Sequence, residues 1–458
     1  MRNKGLLIFL LAFVLLFVSC KGTGNTGTGS GGGLPDYDTK KDELSVDIMG
    51  WVTPVSMNDE QLGYIVESGV GALFYMTNTY SPSNEVFNEL ELCKNYGIDI
   101  YISSGAKDGS VVGNIENFNN CDAVIGMTID EPNKDGITSI ASAVEGFNSV
   151  SNGKSLFVNL YPSFANAVNK FSGGYEEYLR YYCESVLEKL TVGEKWLSAD
   201  RYPLIYNTKG EKDLDSGWLY DIETVATVAR DYKDVKSNFF IHTMPYGSGT
   251  GSGSRNRVPT YEDIRMQEYT LMAFGYDAIS LFCYGTPNVG PEFSDEQVAM
   301  IDRSGNRTDI YYAAQRANKE ILAFDHVLKQ FSWKGVFTND AGKTTVDKDR
   351  TTNSSFSNLI NRMSLEQVSF IDEVYSSEDT LFGYFMDEED NEAVMLVNYN
   401  ETTKEKKDDV KITFNSQYKY NKCLCYVGGE KKVFDVVDNT LQITLGVGEG
   451  VFAIPYRQ

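Results

Sequence analysis

The sequence predicts an α/β fold, a (β/α)8 TIM barrel followed by a small C-terminal antiparallel β-sandwich. The first observation is that eight short apolar runs alternate along the chain with amphipathic helical segments. The second is that these runs are almost continuously apolar, as expected for parallel strands that are covered on both faces. The third is a change near Trp333, after which short alternating runs and polar turns indicate antiparallel sheets.

The predicted barrel occupies residues 44–332. Its eight strands are the apolar runs Val46–Val55, Gly71–Thr79, Ile98–Ser103, Ala123–Ile129, Leu156–Tyr161, Trp196–Tyr202, Asn238–Met244 and Ala278–Tyr284. The helices predicted around them include Asn84–Tyr96, Gly136–Val150, Tyr175–Leu190, Ile222–Tyr232, Tyr261–Phe274 and the closing segment Asp309–Phe331. An open, doubly wound sheet is the alternative, but no glycine-rich phosphate-binding loop follows the first strand.

The predicted sandwich occupies residues 333–458. Its strands are the short alternating runs Thr380–Met386, Glu392–Asn398, Val410–Phe414, Lys422–Val427, Leu441–Leu445 and Gly450–Pro455. Because polar turns separate these runs at short intervals, they are expected to pair as antiparallel neighbours.

The N-terminus has the features of a targeting segment. Arg2 and Lys4 precede an apolar stretch that is too short for an ordinary membrane span and that ends at Cys20. Residues 1–19 are similar to a bacterial lipoprotein signal peptide, and residues 20–43 are predicted to be a flexible tether. We therefore expect lipid attachment at Cys20 and a location in the bacterial cell envelope or at the cell surface. The alternative is an ordinary secretory peptide with a chance cysteine.

Composition argues against several classes of partner and cofactor. The formal net charge of −23 would repel nucleic acid and anionic lipid headgroups, so membrane contact is expected only through the lipid. The chain has only 2 histidines, and its cysteines do not have the spacing of a metal site. No metal and no cofactor are therefore expected.

The most informative motif is Gly126-Met127-Thr128-Ile129-Asp130-Glu131-Pro132-Asn133. An apolar strand, the fourth of eight, ends in two adjacent carboxylates and a proline, which cannot continue a buried strand. In (β/α)8 barrels, the chemistry lies at the C-terminal ends of the strands. Asp130 and Glu131 are therefore candidate catalytic residues.

The predicted ends of all eight strands carry a common set of side chains, namely carboxylates, amides and aromatic rings. Asp200 is the third candidate catalytic residue, and the candidate binding residues are Trp51, Tyr75, Asn159, Tyr161, Tyr202, His242, Tyr246 and Tyr284. Such a set suits a neutral, hydroxyl-rich substrate, because aromatic faces stack on sugar rings while acids and amides bind hydroxyls. A Gly- and Ser-rich loop at 248–257 follows the seventh strand on the same face, either as a mobile lid or merely as a long loop.

Several motifs resemble those of the barrel glycoside hydrolases of bacteria over residues 44–330. Besides GMTIDEPN, they are the strand-six segment SADRYPL (198–204) and the helix–strand unit RMQEYTLMAFGYDAISLFCYG (265–285). The C-terminal region, with its closing GVGEG (446–450), is similar to the β domain that often follows such barrels. The resemblance implies that Glu131 is the general acid/base.

One departure from that family leaves two mechanisms open. Retaining members carry a nucleophilic Glu at the end of strand seven, but here the segment 239–245 contains no carboxylate. In the preferred interpretation Glu131 is the acid, and Asp200 supplies the second carboxylate as base or nucleophile. In the other, Asp130 and Glu131 act together on a 2-acetamido sugar, as in N-acetylhexosaminidases resembling glycoside hydrolase family 123. Because neighbours in a strand point to opposite faces, that pairing requires the chain to leave strand geometry at this point.

The predicted function is that of a lipid-anchored extracytoplasmic glycoside hydrolase that acts on poly- or oligosaccharide without a metal. The rival interpretation is a non-catalytic carbohydrate-binding lipoprotein, a hydrolase barrel that has lost its chemistry. The missing strand-seven Glu favours the rival, and the Asp130-Glu131 pair opposes it. A structural surface protein is the least favoured class, because the polar residues gather at one set of strand ends.

Overall fold

The structure, a computed structural model, describes residues 33–207, 209–247, 256–290, 293–345 and 355–458. The predicted signal peptide, Cys20 and the first part of the tether lie outside the described residues, as does most of the 248–257 loop. Within the described ranges, no helix combines the length and the apolar character that crossing a membrane would need.

The first architectural unit is a closed barrel of eight parallel strands, which confirms the predicted fold class. In spatial order its strands are β1 (Asp47–Trp51), β2 (Ala72–Met76), β3 (Asp99–Ser103), β4 (Val124–Asp130), β5 (Ser155–Leu160), β6 (Lys195–Asp200), β9 (Val235–His242) and β10 (Ala278–Phe282). A small hairpin, β7 (Leu204–Tyr206) and β8 (Lys212–Leu214), follows β6.

Helices surround the barrel and cover the outer face of its strands. They are α1 (Asp59–Ser68), α2 (Asn84–Tyr96), α3 (Lys134–Val150), α4 (Gly174–Ser185), α5 (Trp218–Asp231), α6 (Tyr261–Ala273), α7 (Asp309–Leu322) and the short α8 (Asp325–Leu328). Between β3 and β4 the connection is a run of 3₁₀ turns, Gly109–Phe118. The segment predicted as one closing helix, Asp309–Phe331, is divided, because α7 and α8 are separated at Ala323 and Phe324.

The barrel interior is filled by aromatic side chains. Phe74, Tyr101, Phe157 and Phe240 pack against one another with ring centroids 5.0–5.6 Å apart. Gly126 makes room for this packing, because a Cβ at that position would lie 2.7 Å from the Tyr101 ring. This interior is a packed core rather than a pore.

The second unit is an antiparallel sandwich of a six-stranded and a four-stranded sheet. The larger sheet has the order β11 (Phe331–Asn339), β14 (Thr380–Asp387), β15 (Glu392–Asn398), β20 (Gly450–Tyr456), β17 (Lys422–Val427) and β18 (Glu430–Asp435). The smaller has the order β12 (Lys343–Thr345), β13 (Ile371–Ser376), β16 (Asp408–Phe414) and β19 (Thr440–Leu445). Alternate residues of β14 face opposite sides: Leu381 and Phe385 belong to the barrel-side core, and Phe382 belongs to the core between the sheets.

Part of the segment predicted as a tether is folded. Residues Tyr37–Lys40 form one 3₁₀ turn, in which Tyr37 is buried and its hydroxyl donates to Asp387 at 2.7 Å. Asp38 lies within 3.1 Å of His326 and 2.8 Å of Lys431. The ordered fold therefore includes residues that precede the first barrel strand, because an aromatic anchor and an acidic side chain find partners on both units.

The contact between the two units is tight at Gly383, where a Cβ would overlap the Ala273 carbonyl oxygen of α6. We expect Gly383→Ala to lower the free energy of unfolding by about 1–3 kcal/mol, because backbone must move to accept the methyl group. Urea denaturation measures the change. The matched control is Gly146→Ala in exposed α3, which has nothing within 4 Å and should stabilise by up to about 1 kcal/mol. Equal effects of the two substitutions would contradict the close packing.

Candidate active site

A cleft of about 400 Å³ opens at the C-terminal ends of β4, β5, β6 and β10. Four acids line it: the three candidate catalytic residues Asp130, Glu131 and Asp200, and Asp215. The other lining residues are Tyr161, Pro162, Phe164, Ala165, Arg201, Tyr202, Ile205, Tyr246, Gly247, Asn256 and Phe282. The cleft thus brings together all three candidate catalytic residues and three of the candidate aromatic residues, Tyr161, Tyr202 and Tyr246.

The adjacent carboxylates of the fourth strand reach the same cleft because the backbone changes conformation between them. β4 continues through Asp130, and Glu131 has a left-handed φ of 46°. The Glu131 N–H donates to the Asn159 carbonyl at 2.8 Å, and the Tyr178 hydroxyl donates to the Pro132 carbonyl at 2.9 Å. Asn133 then caps α3 by accepting from the Gly136 N–H. The motif therefore ends a strand, turns both acids into the cleft and begins the next helix.

The carboxyl group of Asp200 is buried at the C-terminal end of β6. One carboxylate oxygen, Oδ2, accepts from the Tyr202 hydroxyl at 3.0 Å, and Oδ1 is buried without a hydrogen-bond partner among the described residues. Burial raises the pKa of Asp200 well above its usual value, and the nearby carboxylates of Glu131 and Asp130 raise it further. Asp200 is therefore the side chain of this cleft that the surroundings favour in the protonated form.

Glu131 has a cation beside it, unlike Asp200. Lys107 Nζ lies 3.2 Å from Glu131 Oε2 and 5.6 Å from the centre of the Tyr161 ring. The Glu131 side chain is 27% exposed, so it is open to the cleft and to solvent. Glu131 therefore has a cationic partner in the cleft, whereas the charged groups closest to Asp200 are carboxylates.

A chain of buried hydrogen bonds crosses the barrel and ends at Asp130. The Ser280 hydroxyl donates to Asn238, the Asn238 amide donates to Ser198, and the Ser198 hydroxyl donates to Asn159, each at 2.9 Å. The Asn159 amide then donates to Asp130 Oδ1 at 3.2 Å. Every donor in this chain points toward the carboxylate. Asn159 therefore contacts Asp130 and does not itself line the cleft.

Arg201 fixes the loops on one side of the cleft. Its guanidinium binds Asp215 with two hydrogen bonds of 2.6 and 3.0 Å and binds Asp221 at 3.2 Å and Ser163 at 2.9 Å. Burial raises the pKa of Asp221 to about 6, although Arg201 opposes that shift. Gly217 lies against the guanidinium, and a Cβ there would overlap it. Arg201 thus pairs with these two acids, and Asp200 is left without it.

Besides Asn159, four predicted binding residues do not line the cleft. Tyr75 points outward, where its hydroxyl donates to Glu89 of α2, because it alternates with the inward-facing Phe74. Tyr284 is fully buried in the core outside the barrel strands. These two placements correct the sequence-based expectation.

His242 and Trp51 are the other two of these four residues outside the cleft lining. His242 is fully buried with its ring 6.0 Å from that of Tyr202, and burial lowers its pKa to about 3, so its imidazole is neutral at ordinary pH. Trp51 packs against the interior rings of Phe74 and Phe240 with centroids 5.1 and 5.7 Å apart. His242 therefore packs beside Tyr202 of the cleft lining, and Trp51 packs on the aromatic rings of the barrel interior.

Sequence reasoning missed several residues of the cleft. Phe164, Arg201, Asp215, Asn256 and Phe282 all line it. Arg201 and Phe282 lie at predicted strand ends, so their places in the cleft could have been predicted. They were not chosen as candidates because carboxylates and tyrosines were preferred. Phe164 and Asp215 lie in loops after strands five and six, and only the fold shows that these loops turn back over the cleft.

Potential metal ligands do not cluster here. Across the described ranges, no group of three or more His, Cys, Asp and Glu side chains is arranged to hold a metal ion. The six cysteines of these ranges are all free thiols.

Comparison with known proteins identifies the class of fold. The sequence matches no known family profile and no curated protein. A glycoside hydrolase family 5 structure from Bacteroides vulgatus ATCC 8482 is similar, with a TM-score of 0.53 and 10% identity over 90% of this chain and 89% of that chain. An Anoxybacillus α-amylase is similar with a TM-score of 0.50 and 9% identity over 90% and 98%. The chain therefore shares the (β/α)8-barrel fold of these two solved glycoside hydrolases.

Proposed function

We propose that this protein is a glycoside hydrolase that cleaves oligo- or polysaccharide with Asp200 and Glu131 as its two carboxyl groups. The observation that carries the proposal is the pairing of a buried carboxyl group with one that has a lysine partner in a single cleft. Glycoside hydrolysis requires two carboxyl groups, one that donates a proton to the leaving oxygen and one that acts as nucleophile or base. The shared fold with barrel glycoside hydrolases supports the same reaction class.

The contacts favour a division of roles opposite to the one expected from the sequence. Asp200, whose surroundings favour the neutral form, donates its proton to the glycosidic oxygen as the bond to the anomeric carbon breaks. Glu131, beside Lys107, acts as the carboxylate: it either attacks the anomeric carbon or removes a proton from the attacking water. The Tyr202 hydroxyl, 3.0 Å from Asp200, then holds the carboxylate that has lost its proton.

A second mechanism within the same class rests on the turn at Glu131. Because Asp130 and Glu131 both open into the cleft, Asp130 is available to orient a 2-acetamido group of the substrate while a neighbouring acid protonates the leaving oxygen. Under this mechanism only 2-acetamido glycosides are cleaved, and Asp130→Asn loses as much activity as either of the other two carboxyl variants.

The test is hydrolysis of an aryl-glycoside and oligosaccharide panel, with and without 2-acetamido groups, by the wild type, Glu131→Gln and Asp200→Asn. Each variant should lose at least about 100-fold in kcat/KM. The matched control is Glu116→Gln, an exposed acid that does not line the cleft, which should keep wild-type activity. Glycan binding without hydrolysis by the wild type would instead favour the carbohydrate-binding interpretation.

The buried hydrogen-bond chain gives a separate prediction for a positioning residue. Asn159→Leu removes the amide that donates to Asp130, and we expect kcat to fall about 10- to 100-fold, the equivalent of one hydrogen bond to a charged group. Ser280→Ala, at the far end of the chain, should cost less than tenfold. A merely structural role would lower thermal stability in both variants without changing the pH dependence of kcat, and that profile is the measurement.

We also propose that the protein is lipid-anchored in the cell envelope through Cys20. The signal-like segment, the position of Cys20 and the following Gly-rich stretch support this proposal. Membrane fractionation of cells that express the wild type or Cys20→Ser tests it. The wild type should stay with the membrane fraction and incorporate labelled palmitate, and the variant should do neither. Equal distribution of the two proteins would exclude the anchor.

A further inference from the structure

We infer that Phe164 is a stacking platform for a second sugar ring, so that the cleft binds an oligosaccharide across at least two subsites. This inference rests on the proposed function, because it assigns a neighbouring subsite to the same cleft. The ligand class is a pyranose ring that presents a face of C–H groups, which is the part of a sugar that packs on an aromatic ring.

Phe164 is unusual among the cleft residues in being largely open to solvent. It is 68% exposed, and among the described residues it is the only strongly exposed large hydrophobic side chain that lines the cleft. The neighbouring rings pack on each other: Tyr202 stacks on Phe282 with centroids 4.7 Å apart, and Tyr246 meets Phe282 edge-on. Tyr202, Tyr246 and Phe282 therefore cover one another in the wall of the cleft, whereas nothing in the described protein covers the exposed apolar surface of Phe164.

One face of the Phe164 ring is occupied and the position of the ring is fixed. The Arg201 guanidinium lies 5.1 Å from the ring centre, within the range of a cation–π interaction. Arg201 is itself held by Asp215 and Asp221. On either side in sequence, the Ser163 N–H donates to Asp221 at 2.9 Å and the Ala165 N–H donates to the Pro162 carbonyl at 3.0 Å. A ring held in this way loses little conformational entropy when a ligand stacks on its free face.

The location of Phe164 separates the second subsite from the carboxyl groups. Phe164 lies in the loop after β5, beyond Tyr161, and Arg201 holds it from the β6 side. A sugar bonded to the one at Asp200 and Glu131 can extend over this loop. We therefore expect chain length, rather than only the terminal sugar, to determine how well a substrate is used.

Binding and turnover together test this inference. Asp200→Asn and the double variant Asp200→Asn/Phe164→Ala are applied to an array of defined mono- to hexasaccharides. Loss of the platform should weaken binding to the longer glycans by about tenfold, the value of one aromatic contact of up to 1.5 kcal/mol. In the active background, Phe164→Ala should lower the ratio of kcat/KM on oligosaccharides to that on aryl monosaccharides by a similar factor, and Phe164→Trp should restore it.

The control is Tyr80→Ala, which removes another exposed aromatic ring, 64% exposed, from the loop after β2, outside the cleft lining. It should leave both binding and turnover unchanged. If Phe164→Ala behaves like Tyr80→Ala, the platform is excluded even when the wild type is an active hydrolase. If the wild type binds glycans through Phe164 but hydrolyses none, the proposed function fails and the subsite stands.

Discussion

Asp200→Asn is expected to lower kcat by about 10²–10⁴-fold while making the protein more stable to urea. The loss of activity follows from removing the proton donor. The gain in stability follows from burial, because the folded-state pKa of Asp200 is raised well above the unfolded value. Between those two pKa values the folded state holds a proton that the unfolded state has released, so stability falls as pH rises through this range. Asparagine carries no such cost.

Two measurements distinguish loss of the proton donor from a general disruption of the cleft. Urea unfolding at pH 5 and pH 8 should show that the variant gains more stability over the wild type at the higher pH. Aryl glycosides with a strongly acidic phenol as leaving group need no proton, so Asp200→Asn should retain far more activity on them than on alkyl glycosides. Glu131→Gln should lose activity on both kinds of substrate. Wild-type kcat in Asp200→Asn on every substrate would exclude Asp200 as the donor.

Arg201→Met is expected to cost about 3–5 kcal/mol of the free energy of unfolding, the second large effect. The substitution leaves Asp221, whose side chain is 0% exposed, without its cation, and Asp215 without a bidentate partner. The pKa of Asp221, already raised to about 6, should rise further. The folded variant then favours neutral Asp221, so the loss should be smaller at pH 5 than at pH 8. Urea denaturation at both values gives the measurement.

A surface arginine provides the matched control for that experiment. Arg180 binds Glu176 and Asp231 where all three side chains are partly exposed, and Arg180→Met should cost less than about 1 kcal/mol. In the double variant Arg201→Met/Asp221→Asn, part of the lost stability should return, since the unpaired buried charge is gone. A loss that does not vary with pH and is not relieved by Asp221→Asn would mean that Arg201 acts only through packing.

The architecture could be predicted because it depends on local patterns. The apolar run ending at Ile129 and the one ending at Ser103 identify barrel strands without any knowledge of their partners, and the sandwich strands alternate as expected. Two elements were missed. The 3₁₀ connection Gly109–Phe118 was not predicted although Val111, Ile115 and Phe118 have helical spacing, and Tyr37 is buried by partners distant in sequence, Phe331 and Asp387.

The candidate site was predictable in its acids and much less so in its arrangement. A strand that ends in Asp130-Glu131-Pro132 indicates where the carboxylates lie, but the side to which each one turns depends on the backbone of Glu131 and the Asn159 carbonyl. Tyr75 and Tyr284 are tyrosines near strand ends, but their side chains do not face the cleft. A shift of one residue along a strand reverses the face to which a side chain points, so the sequence pattern alone does not identify that face. Phe164 could not be found at all, because its role depends on Arg201 from another loop.

The aromatic packing of Phe74, Tyr101, Phe157 and Phe240 limits how substrate, water and products enter and leave the cleft. Because these rings fill the barrel interior, they leave no passage from the cleft through the barrel. Under the proposed mechanism, the proton that Asp200 gives up returns from the cleft side, since aromatic rings and the hydrogen-bonded chain from Ser280 to Asp130 fill the barrel beneath it. Under the proposed function, a product sugar retained in the cleft would therefore delay the return of a proton to Asp200, and inhibition by reaction products is the expected result.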